Sequence, residues 1–353
     1  MLARDDVPLA PLTTLQLGGS ASRLVAAYDA DELVDAVRAA DAGDGPVLVL
    51  GGGSNVVLPD AGVPGTVVRV CARGMTVRRD GDRVLIEAAA GESWDGLVAH
   101  CVGSGLAGIE GLAGIPGLVG ATPVQNVGAY GQEVAQVVTT VRAYDRHRGE
   151  RVRLTAEECG FGYRASAFKA DPSRWLVLSV CLSLTEGTRS APVRYAELAR
   201  ALGVDVGQRA ALEDVREAVL SLRRAKGMVL DPDDSDTRSV GSFFTNPLLT
   251  PAEADAVRVR VAQRPGGQAM PEYTDPQGRV KVSAAWLIEQ AGFARGHSAG
   301  PVGISSKHSL ALVHRGGGSA AALLALARQV RDGVHDAFGV TLVPEPVLVG
   351  QTL

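Results

Sequence analysis

The sequence predicts an α+β protein of two or three domains. Short apolar runs typical of strands alternate with segments of helical periodicity, in a mixed order and without an internal repeat. The chain of 353 residues is too long for one simple hydrophobic core. A hydrophobic content of 46%, with 43 glycines and 18 prolines, is typical of a globular protein that is rich in loops.

Capping and turn residues delimit the elements of the first half. Aspartates precede the first helix, Asp80-Gly81 is a hairpin-turn dipeptide, and Ser93 can cap a helix that Gly105 stops. In chain order we predict a helix at 31–42, strands at 47–50 and 67–70, a hairpin of 75–77 with 84–86, a helix at 93–104, and strands at 137–144 and 175–184.

The second half begins with an amphipathic helix at 212–225. An acidic turn follows at 231–234, and we place a domain boundary at about residues 205–235. Three helices are predicted beyond it: one that opens with the capping box Thr250-Pro251-Ala252-Glu253, one at 284–291, and one at 320–338 that Gly339 stops.

Composition argues against several classes of function. The formal net charge of −4 provides no basic field for a nucleic acid. The four cysteines form no Cys-x-x-Cys pair, which favours free thiols in a reducing compartment, and the six histidines show no metal-ligand spacing. We therefore predict no metal. The charged first residues argue against a signal peptide, and no apolar run reaches the roughly 18 residues of a membrane span. We expect a cytoplasmic protein.

Two glycine-rich segments are candidates for a nucleotide site. The first, Gly51-Gly52-Gly53-Ser54-Asn55, follows a predicted strand, where successive main-chain amides can form an anion-binding nest. It is not a Rossmann fingerprint, because no G-x-G-x-x-G opens a helix, and it is not a Walker loop, because no Gly-Lys-Ser/Thr follows. A triple-glycine turn without a ligand is the alternative.

The second segment, 105–131, contains eight glycines and few charges. The register of these glycines breaks and proline is sparse, which argues against a collagen-like repeat. Its motifs are Gly114-Ile115-Pro116-Gly117 and Gln125-Asn126-Val127-Gly128-Ala129-Tyr130-Gly131. The two segments together could hold both ends of an extended dinucleotide, and Gln125 and Asn126 could hydrogen-bond the edge of a heterocycle.

Ser242 lies in a stiff segment, Gly241-Ser242-Phe243-Phe244-Thr245-Asn246-Pro247. Two aromatic residues and a proline constrain the backbone around a hydroxyl that small residues flank. This pattern predicts a positioned chemical group, and the alternative is a turn whose phenylalanines pack into a core.

These segments, with Phe161-Gly162-Tyr163-Arg164 and Pro344-Glu345, occur in an order that resembles the UDP-N-acetylenolpyruvoylglucosamine reductase family, over about residues 14–350. The resemblance implies a flavin-binding fold of the vanillyl-alcohol-oxidase (PCMH) type, with FAD held non-covalently between two α+β subdomains. A C-terminal α+β domain would bind the substrate. The implied boundaries are 1–70 for subdomain 1, to which 340–353 returns, 71–225 for subdomain 2, and 226–339 for the C-terminal domain.

The resemblance also implies a two-stage reaction of peptidoglycan synthesis. NADPH reduces FAD and leaves, and enolpyruvyl-UDP-N-acetylglucosamine is then reduced to UDP-N-acetylmuramate, with hydride on its methylene carbon and a proton on the neighbouring carbon. One alternative is an FAD-linked oxidase of the same fold, which would not need the proton donor implied by the Ser242 and Glu345 segments. Another is a non-catalytic UDP-sugar-binding relative. The presence of Arg164, Ser242 and Glu345, the three catalytic residue types of the family, argues against this alternative.

The implied catalytic residues are Arg164, Ser242 and Glu345. Hydride addition spreads negative charge onto the substrate carboxylate, and a guanidinium such as that of Arg164 matches its two oxygens. Glu345 lies between two prolines, and a protonated carboxyl there could donate a hydrogen bond to the developing enol. Ser242 would protonate the carbanion carbon, which requires tight geometry because a hydroxyl is a weak acid. The alternatives are a structural ion pair for Arg164, a surface turn for Glu345 and a simple hydrogen bond for Ser242.

The implied binding residues come from the same motifs and from the chain between them. Lys226 ends a basic run that suits a diphosphate, although it could also lie on a solvated helix face, and Tyr195 matches the subgroup whose inserted loop folds a tyrosine over the substrate. Thr245 departs from relatives that carry lysine, which removes a charge near the nucleotide. We expect a monomer without a membrane or nucleic-acid partner. The substrate residues are Tyr163, Tyr195, Lys226 and Asn246, and the cofactor residues are Gly51, Gly52, Gly53, Ser54, Asn55, Gly114, Ile115, Gly117, Gln125, Asn126, Gly128, Ala129 and Gly131.

Overall fold

A computed structural model describes residues 1–264, 269–275 and 277–353. The chain forms two compact units. Unit 1 comprises residues 1–7, 20–53 and 63–229, and unit 2 comprises residues 8–19, 54–62 and 230–353. The change of unit after Val229 lies inside the boundary region that the sequence predicts. The finer division into two subdomains and a C-terminal domain stays a prediction.

The helices begin where the sequence supplies a capping side chain. Asp29 accepts a hydrogen bond from the amide of Glu32, Ser93 accepts one from Gly96, and Thr250 forms the predicted capping box with Glu253. The described helices are α1 (Ala30–Asp41), α2 (Trp94–Gly103), α3 (Ala167–Ala170), α4 (Ala196–Leu202), α5 (Leu212–Ala225), α6 (Pro251–Ala262), α7 (Ala284–Gln290) and α8 (Ala320–Phe338). All predicted helices are therefore confirmed within two residues at each end.

The strands are mostly short, as an α+β protein with irregular order requires. They are β1 (Leu2–Pro8), β2 (Ser20–Ala27), β3 (Val47–Leu50), β4 (Val56–Val57), β5 (Val63–Val70), β6 (Met75–Asp80), β7 (Arg83–Ala89), β8 (Leu106–Ala107), β9 (Gly128–Ala129), β10 (Gln132–Glu133), β11 (Val138–Asp145), β12 (Glu150–Thr155), β13 (Trp175–Glu186), β14 (Ser239–Ser242), β15 (Leu248–Leu249), β16 (Glu272–Thr274), β17 (Val280–Val282), β18 (Ser298–Ala299), β19 (Val302–Ile304), β20 (Ala311–His314) and β21 (Val347–Leu348). The predicted α+β class is confirmed.

Unit 1 contains two main sheets. The first has the order β1-β2-β5-β3, and its pairs β2–β5 and β5–β3 are parallel. The second is antiparallel, with the order β12-β11-β13-β7-β6, and the short β8 also pairs with β13. Helix α1 buries Leu33 and Val37 and helix α2 buries Trp94 in one continuous hydrophobic core. The glycine-rich loops are attached to these rigid elements.

Unit 2 is built around helix α8, whose apolar stripe is buried along its length. An antiparallel sheet of order β14-β20-β19-β18 and a three-stranded sheet of order β15-β17-β16 belong to this unit, and β21 pairs in parallel with β4. Phe243, Phe244 and Phe338 are fully buried in its core. The segment around Ser242 therefore has the packed phenylalanines that its alternative reading predicts, in addition to any chemical role.

Burial governs the chemistry of two of the four cysteines, all of which carry free thiols. Desolvation raises the pKa of the Cys101 and Cys159 thiols to about 12, so both stay protonated at neutral pH.

Within the described ranges, no helix is long and apolar enough to cross a bilayer. The described histidine, cysteine and acidic residues likewise form no cluster of three that could hold a metal ion.

Candidate functional site

The first glycine-rich loop is in direct backbone contact with the second. It begins where β3 ends, and Gly53 has a left-handed φ of +64°. A Cβ at Gly52 would lie 2.9 Å from the Cα of Gly117, a distance that side-chain carbons do not adopt against backbone. Only glycine therefore allows the two loops to approach this closely, and the surface they form is made of main-chain groups.

The start of helix α2 holds the second loop in place. The amide of Gly114 donates a hydrogen bond of 2.6 Å to the carboxylate of Asp95, and the carbonyl of Gly117 accepts one of 3.1 Å from the amide of Trp94. Gly114 and Gly117 have left-handed φ angles of +70° and +116°. The role of Asp95 cannot be predicted from its local sequence, because nothing there indicates a partner nineteen residues further along the chain.

These two loops fit a dinucleotide diphosphate. Glycine backbone lines the narrow space between the loops, which a single added Cβ would obstruct. Main-chain amides on such a lining can approach an anion closely. The hydroxyl of Ser54 and the half-buried Ile115 add one polar and one apolar neighbour along these loops. The residues present are therefore compatible with FAD.

The end of the second loop is held by a buried asparagine. Asn126 is 2% exposed and has a left-handed φ of +47°. Its side-chain amide donates to the Glu133 carboxylate at 2.9 Å and to the Gly162 carbonyl at 3.1 Å, and its oxygen accepts from the amide of Ala135 at 3.1 Å. The side chain of Asn126 thus shapes the loop and joins it to the turn that carries Arg164.

Arg164 lies on a two-residue turn that is closed by Gly162 and Ala165. Their main-chain groups exchange hydrogen bonds of 3.0 and 3.2 Å, and Arg164 takes a left-handed φ of +52° at the tip. Its guanidinium donates to the carbonyl of Gly128 at 3.1 Å and to that of Asn126 at 3.4 Å. The guanidinium carbon also lies 5.6 Å from the centre of the Tyr163 ring. Arg164 is therefore fixed against the second glycine-rich loop.

The predicted substrate residues Tyr195 and Lys226 meet beside the second glycine-rich segment in unit 1. We call these two residues, together with Tyr130 and Glu197, the tyrosine–lysine cluster. Lys226 forms an ion pair of 2.6 Å with Glu197 and lies 5.7 Å from the centre of the Tyr130 ring. The rings of Tyr130 and Tyr195 meet edge to face at 5.5 Å. Tyr195 is 46% exposed and immediately precedes α4, in an inserted segment whose helix the sequence analysis does not predict.

Burial within this cluster keeps one phenol protonated. Desolvation is the largest effect on Tyr130 and raises its pKa to about 12, with a smaller contribution from the negative charge of Glu197. Arg223 acts in the opposite direction. Tyr130 therefore remains a hydrogen-bond donor across the physiological pH range, next to an ammonium group and an exposed ring.

In unit 2, Ser242 and Glu345 lie on two backbone segments that are bridged to each other. The amide of Glu345 donates a hydrogen bond of 2.8 Å to the carbonyl of Phe243, and the amide of Thr245 donates one of 3.0 Å to the carbonyl of Val343. Phe244 and Pro344 form the antiparallel bridge between these bonds. The predicted serine and glutamate segments are thus neighbours, although they are far apart in the sequence.

The Glu345 segment is also attached to the chain that leaves the first glycine-rich loop. The amide of Val347 donates to the carbonyl of Asn55 at 2.9 Å, and β21 continues this contact by pairing with β4. The side-chain amide of Asn55 lies 3.5 Å from the carbonyl of Glu345. Asn55, which the sequence analysis assigns to the cofactor, therefore also supports the backbone of the predicted catalytic glutamate.

Asn246 has a structural partner. Its side-chain oxygen accepts a hydrogen bond of 3.0 Å from the amide of Ala284, the first residue of α7. This bond uses one of the two lone pairs of the oxygen and holds the side chain at the start of the helix. Thr245 directs its hydroxyl to the carbonyl of Val343 at 3.4 Å.

The predicted site residues thus divide between the two units. Unit 2 holds Ser242, Glu345, Asn246, Ser54 and Asn55, and it brings the first two together through bridged backbone. Unit 1 holds the remaining members, namely Gly51, Gly52, Gly53, Gly114, Ile115, Gly117, Gln125, Asn126, Gly128, Ala129, Gly131, Tyr163, Arg164, Tyr195 and Lys226.

Comparison with known proteins extends this picture to the whole chain. Residues 21–155 match a model described as an FAD binding domain, and residues 231–349 match the C-terminal domain of UDP-N-acetylenolpyruvoylglucosamine reductase. A crystal structure of UDP-N-acetylenolpyruvylglucosamine reductase (MurB) from Thermus caldophilus has a TM-score of 0.66 and 26% identity, covering 98% of this chain and 99% of that one. The predicted combination of a flavin-binding fold with a C-terminal domain is confirmed.

Relatives that carry the same description are similar along nearly their full length. The UDP-N-acetylenolpyruvoylglucosamine reductase of Thermobifida fusca is 55% identical over 350 residues, covering 99% of this chain and 98% of the relative. That of Streptomyces coelicolor is 56% identical over 350 residues, covering 99% and 90%. The chain therefore belongs to the UDP-N-acetylenolpyruvoylglucosamine reductase family.

Proposed function

We propose that the protein is an NADPH-dependent flavoenzyme that reduces enolpyruvyl-UDP-N-acetylglucosamine to UDP-N-acetylmuramate for peptidoglycan synthesis. Family membership supports the activity. The structural observation that carries it is the main-chain hydrogen bond from Glu345 to Phe243, because it joins the backbone of the proposed carboxyl residue to the residue that follows the proposed serine proton donor. A reduction that adds hydride to one carbon requires such a donor for the other.

The glycine-rich loops would hold FAD through the main-chain amides of Gly52, Gly53 and Gly117 and their neighbours. When bound, FAD takes up hydride from NADPH and supplies it to the methylene carbon of the enolpyruvyl group. Backbone amides suit this task because they carry no net charge of their own and bind the diphosphate in a fixed geometry. Asp95 and Trp94 keep the second loop in that geometry.

Arg164 would bind and orient the substrate carboxylate. Hydride addition to the methylene carbon leaves an electron pair on the neighbouring carbon, which delocalises into this carboxylate as an enediolate. A permanently charged guanidinium stabilises the developing enediolate more strongly than it stabilises the carboxylate of the bound substrate. The hydrogen bonds from Arg164 to Gly128 and Asn126 support the proposal, because they restrict the side chain before the substrate arrives.

Ser242 would transfer its hydroxyl proton to the carbanion carbon and complete the reduction. Glu345 would hold a proton at its carboxyl group and donate a hydrogen bond to the enediolate. Gly241 precedes the serine with a left-handed φ of +74°, and the two buried phenylalanines follow it. This stiffness favours proton transfer from a weak acid, because little conformational freedom must be lost in the transition state.

The nucleotide part of the substrate would meet the tyrosine–lysine cluster. Lys226 provides an ammonium group for the diphosphate, and the exposed ring of Tyr195 can cover a base or sugar. The ion pair of Lys226 with Glu197 supports this proposal, since it holds the ammonium beside the Tyr130 ring.

The colour of the purified protein tests the assignment. We expect a yellow protein that NADPH bleaches under anaerobic conditions, and whose colour enolpyruvyl-UDP-N-acetylglucosamine restores with formation of UDP-N-acetylmuramate. NADH serves as the matched comparison for the reductant. A colourless protein, or a bleached one that the sugar nucleotide does not reoxidise, contradicts the proposed function.

The protein is further proposed to act as a cytoplasmic monomer without nucleic-acid or membrane partners. Its co-substrates are water-soluble nucleotides, and a net charge of −4 does not favour association with nucleic acid. Light scattering coupled to gel filtration should give the mass of one chain, and cell fractionation should recover the activity without membranes. A stable dimer or a membrane-bound activity would contradict this.

A further inference from the structure

The strand that carries Ser242 is short and irregular. β14 has four residues, its register with β20 shifts between Ser239 and Ser242, and Gly241 within it has a left-handed φ. Such a strand has few ladder hydrogen bonds of its own to define the position of its last residue. The position of Ser242 must therefore depend on what fastens the two ends of the strand.

One loop contacts the carboxyl end of β14 and the turn that precedes its amino end, and we call residues 305–310, which join β19 to β20, the clamp loop. At the carboxyl end of the strand, the amide of Phe243 donates a hydrogen bond of 2.7 Å to the carbonyl of Leu310. Ser242 itself pairs with Ala311, the first residue of β20. These contacts fix Ser242 and the residue that follows it.

At the amino end, the clamp loop is held by a buried aspartate. Asp236 is 6% exposed and lies three residues before β14. Its Oδ2 atom accepts hydrogen bonds from the amide of Ser306 at 2.8 Å, from the Ser306 hydroxyl at 2.6 Å and from the Ser305 hydroxyl at 3.1 Å. The Oδ2 atom of Asp236 therefore binds the first two residues of the clamp loop.

Asp236 is itself rigidly placed. It lies in a single 3-10 turn, Ser235–Thr237, whose first amides are capped by Asp234, and the Asp234 carboxylate accepts from the amide of Asp236 at 3.0 Å. Lys307 of the clamp loop forms an ion pair with Asp234. The turn and the loop are thus joined by two carboxylates, of which only that of Asp236 is buried.

We propose that Asp236 is a positioning residue for Ser242, which acts by holding the clamp loop between the turn that precedes β14 and the carboxyl end of the strand. The proposal rests on the proposed function, in which the Ser242 hydroxyl delivers a proton. A serine is a weak acid, so its proton transfer depends strongly on distance and angle, and a displacement of about 1 Å can cost roughly 100-fold in rate. Loss of the Asp236 contacts would loosen the amino end of the loop, while Lys307 and Ser309 keep their partners Asp234 and Glu289. The displacement would reach the backbone at Phe243 through Leu310.

A plainer reading assigns Asp236 to the acidic run 231–236 as a solvated turn residue. Burial and three hydrogen bonds to a single oxygen contradict that reading, because exposed turn carboxylates exchange such bonds with water. Asp233 in the same run is exposed and supplies a matched control.

The two half-reactions of the holoenzyme test the proposal. Asp236→Ala and Asp236→Asn are compared with Asp233→Asn by anaerobic stopped-flow absorbance of the flavin. We expect NADPH to bleach all variants within twofold of the unmodified protein. Recolouring by the enolpyruvyl substrate should slow 10- to 100-fold in Asp236→Ala. It should slow less in Asp236→Asn, because this variant keeps one acceptor oxygen. In both variants the solvent deuterium isotope effect on recolouring should rise. Asp233→Asn should change neither half-reaction.

Ser306→Ala provides a second variant should Asp236→Ala fold poorly. It removes one of the hydroxyl donors from the other side of the contact, and its effect should not add to that of Asp236→Asn because both act through one contact. Equal slowing of both half-reactions, or unchanged recolouring in Asp236→Asn and Ser306→Ala together, overturns the proposal. If the unmodified protein is bleached but not recoloured by the substrate, the proposed function fails instead.

Discussion

The amide of Glu345 donates a 2.8 Å hydrogen bond to the carbonyl of Phe243, so the residue after Ser242 is joined directly to the predicted catalytic carboxyl residue. Prolines on both sides of Glu345 limit the backbone freedom of this segment. The proposed proton donor and the predicted catalytic carboxyl residue are therefore held on bridged backbone. The following predictions test this relationship and the sites around it.

Ser242→Ala should separate the two half-reactions. Flavin reduction by NADPH should stay within twofold, because it needs no proton from the serine, whereas reduction of the enolpyruvyl substrate should slow by about 100- to 10,000-fold. Anaerobic stopped-flow absorbance measures both. Ser221→Ala, at an exposed position of α5, is the control. Similar losses in both half-reactions of Ser242→Ala would show that the serine is structural.

Gly52→Ala should impair flavin binding. The added Cβ would lie 2.9 Å from the Cα of Gly117 and would force the two loops apart, at a cost of about 1–3 kcal/mol. Gly103→Ala, near the end of α2, is a matched control, because its Cβ would meet nothing within 4 Å. The ratio of flavin absorbance to protein absorbance after purification measures occupancy. Equal flavin content in the two variants would argue against the loop contact as a cofactor cradle.

Lys226→Met should weaken binding of the sugar nucleotide. A hydrogen bond to a charged group contributes about 1.5–3 kcal/mol, so we expect the KM for the substrate to rise roughly 10- to 100-fold, with flavin reduction by NADPH unchanged. Arg224→Met is the control, since this neighbouring cation forms an ion pair with Glu217 in which both side chains are exposed. An unchanged KM in Lys226→Met would remove the tyrosine–lysine cluster from the substrate site.

Asp145→Asn should destabilise the fold in a pH-dependent way. Hydrogen bonds from Arg174, at 2.7 and 3.0 Å, are the main reason why the pKa of the Asp145 carboxyl is lowered in the folded state. The ionised group therefore stabilises the fold above its unfolded pKa of about 3.9, and this stabilisation is lost as the pH falls through the folded value. We expect a loss of about 1–3 kcal/mol at pH 7 that shrinks below about pH 4.

Urea denaturation at several pH values measures this difference. Glu217→Gln breaks an exposed ion pair and should cost less than about 0.5 kcal/mol at pH 7. A destabilisation by Asp145→Asn that stayed constant from pH 7 to pH 3 would show that shape, and not the charge of Asp145, accounts for its contribution.

The sequence by itself determined the local elements and the chemical inventory. Ser93, Thr250 and Gly339 mark helix ends because capping depends only on residues one turn away, and the structure confirms them. The order of the motifs was sufficient to predict the family. Ser242, Glu345 and Arg164 stand out for the same reason, since each lies in a short, unusual segment that can be recognised without knowledge of its neighbours.

Only the tertiary structure decided which of these segments meet and which residues support them. Asp95 binds Gly114, Asn126 joins its loop to the Arg164 turn, and Asp236 fastens the clamp loop, yet none of these residues has a local pattern that indicates its partner. Their roles arise from hydrogen bonds between residues distant in sequence, which exist only once the folded chain has brought both groups together. The catalytic residue types can therefore be predicted from the chain alone, whereas the contacts that would position them depend on how the chain folds.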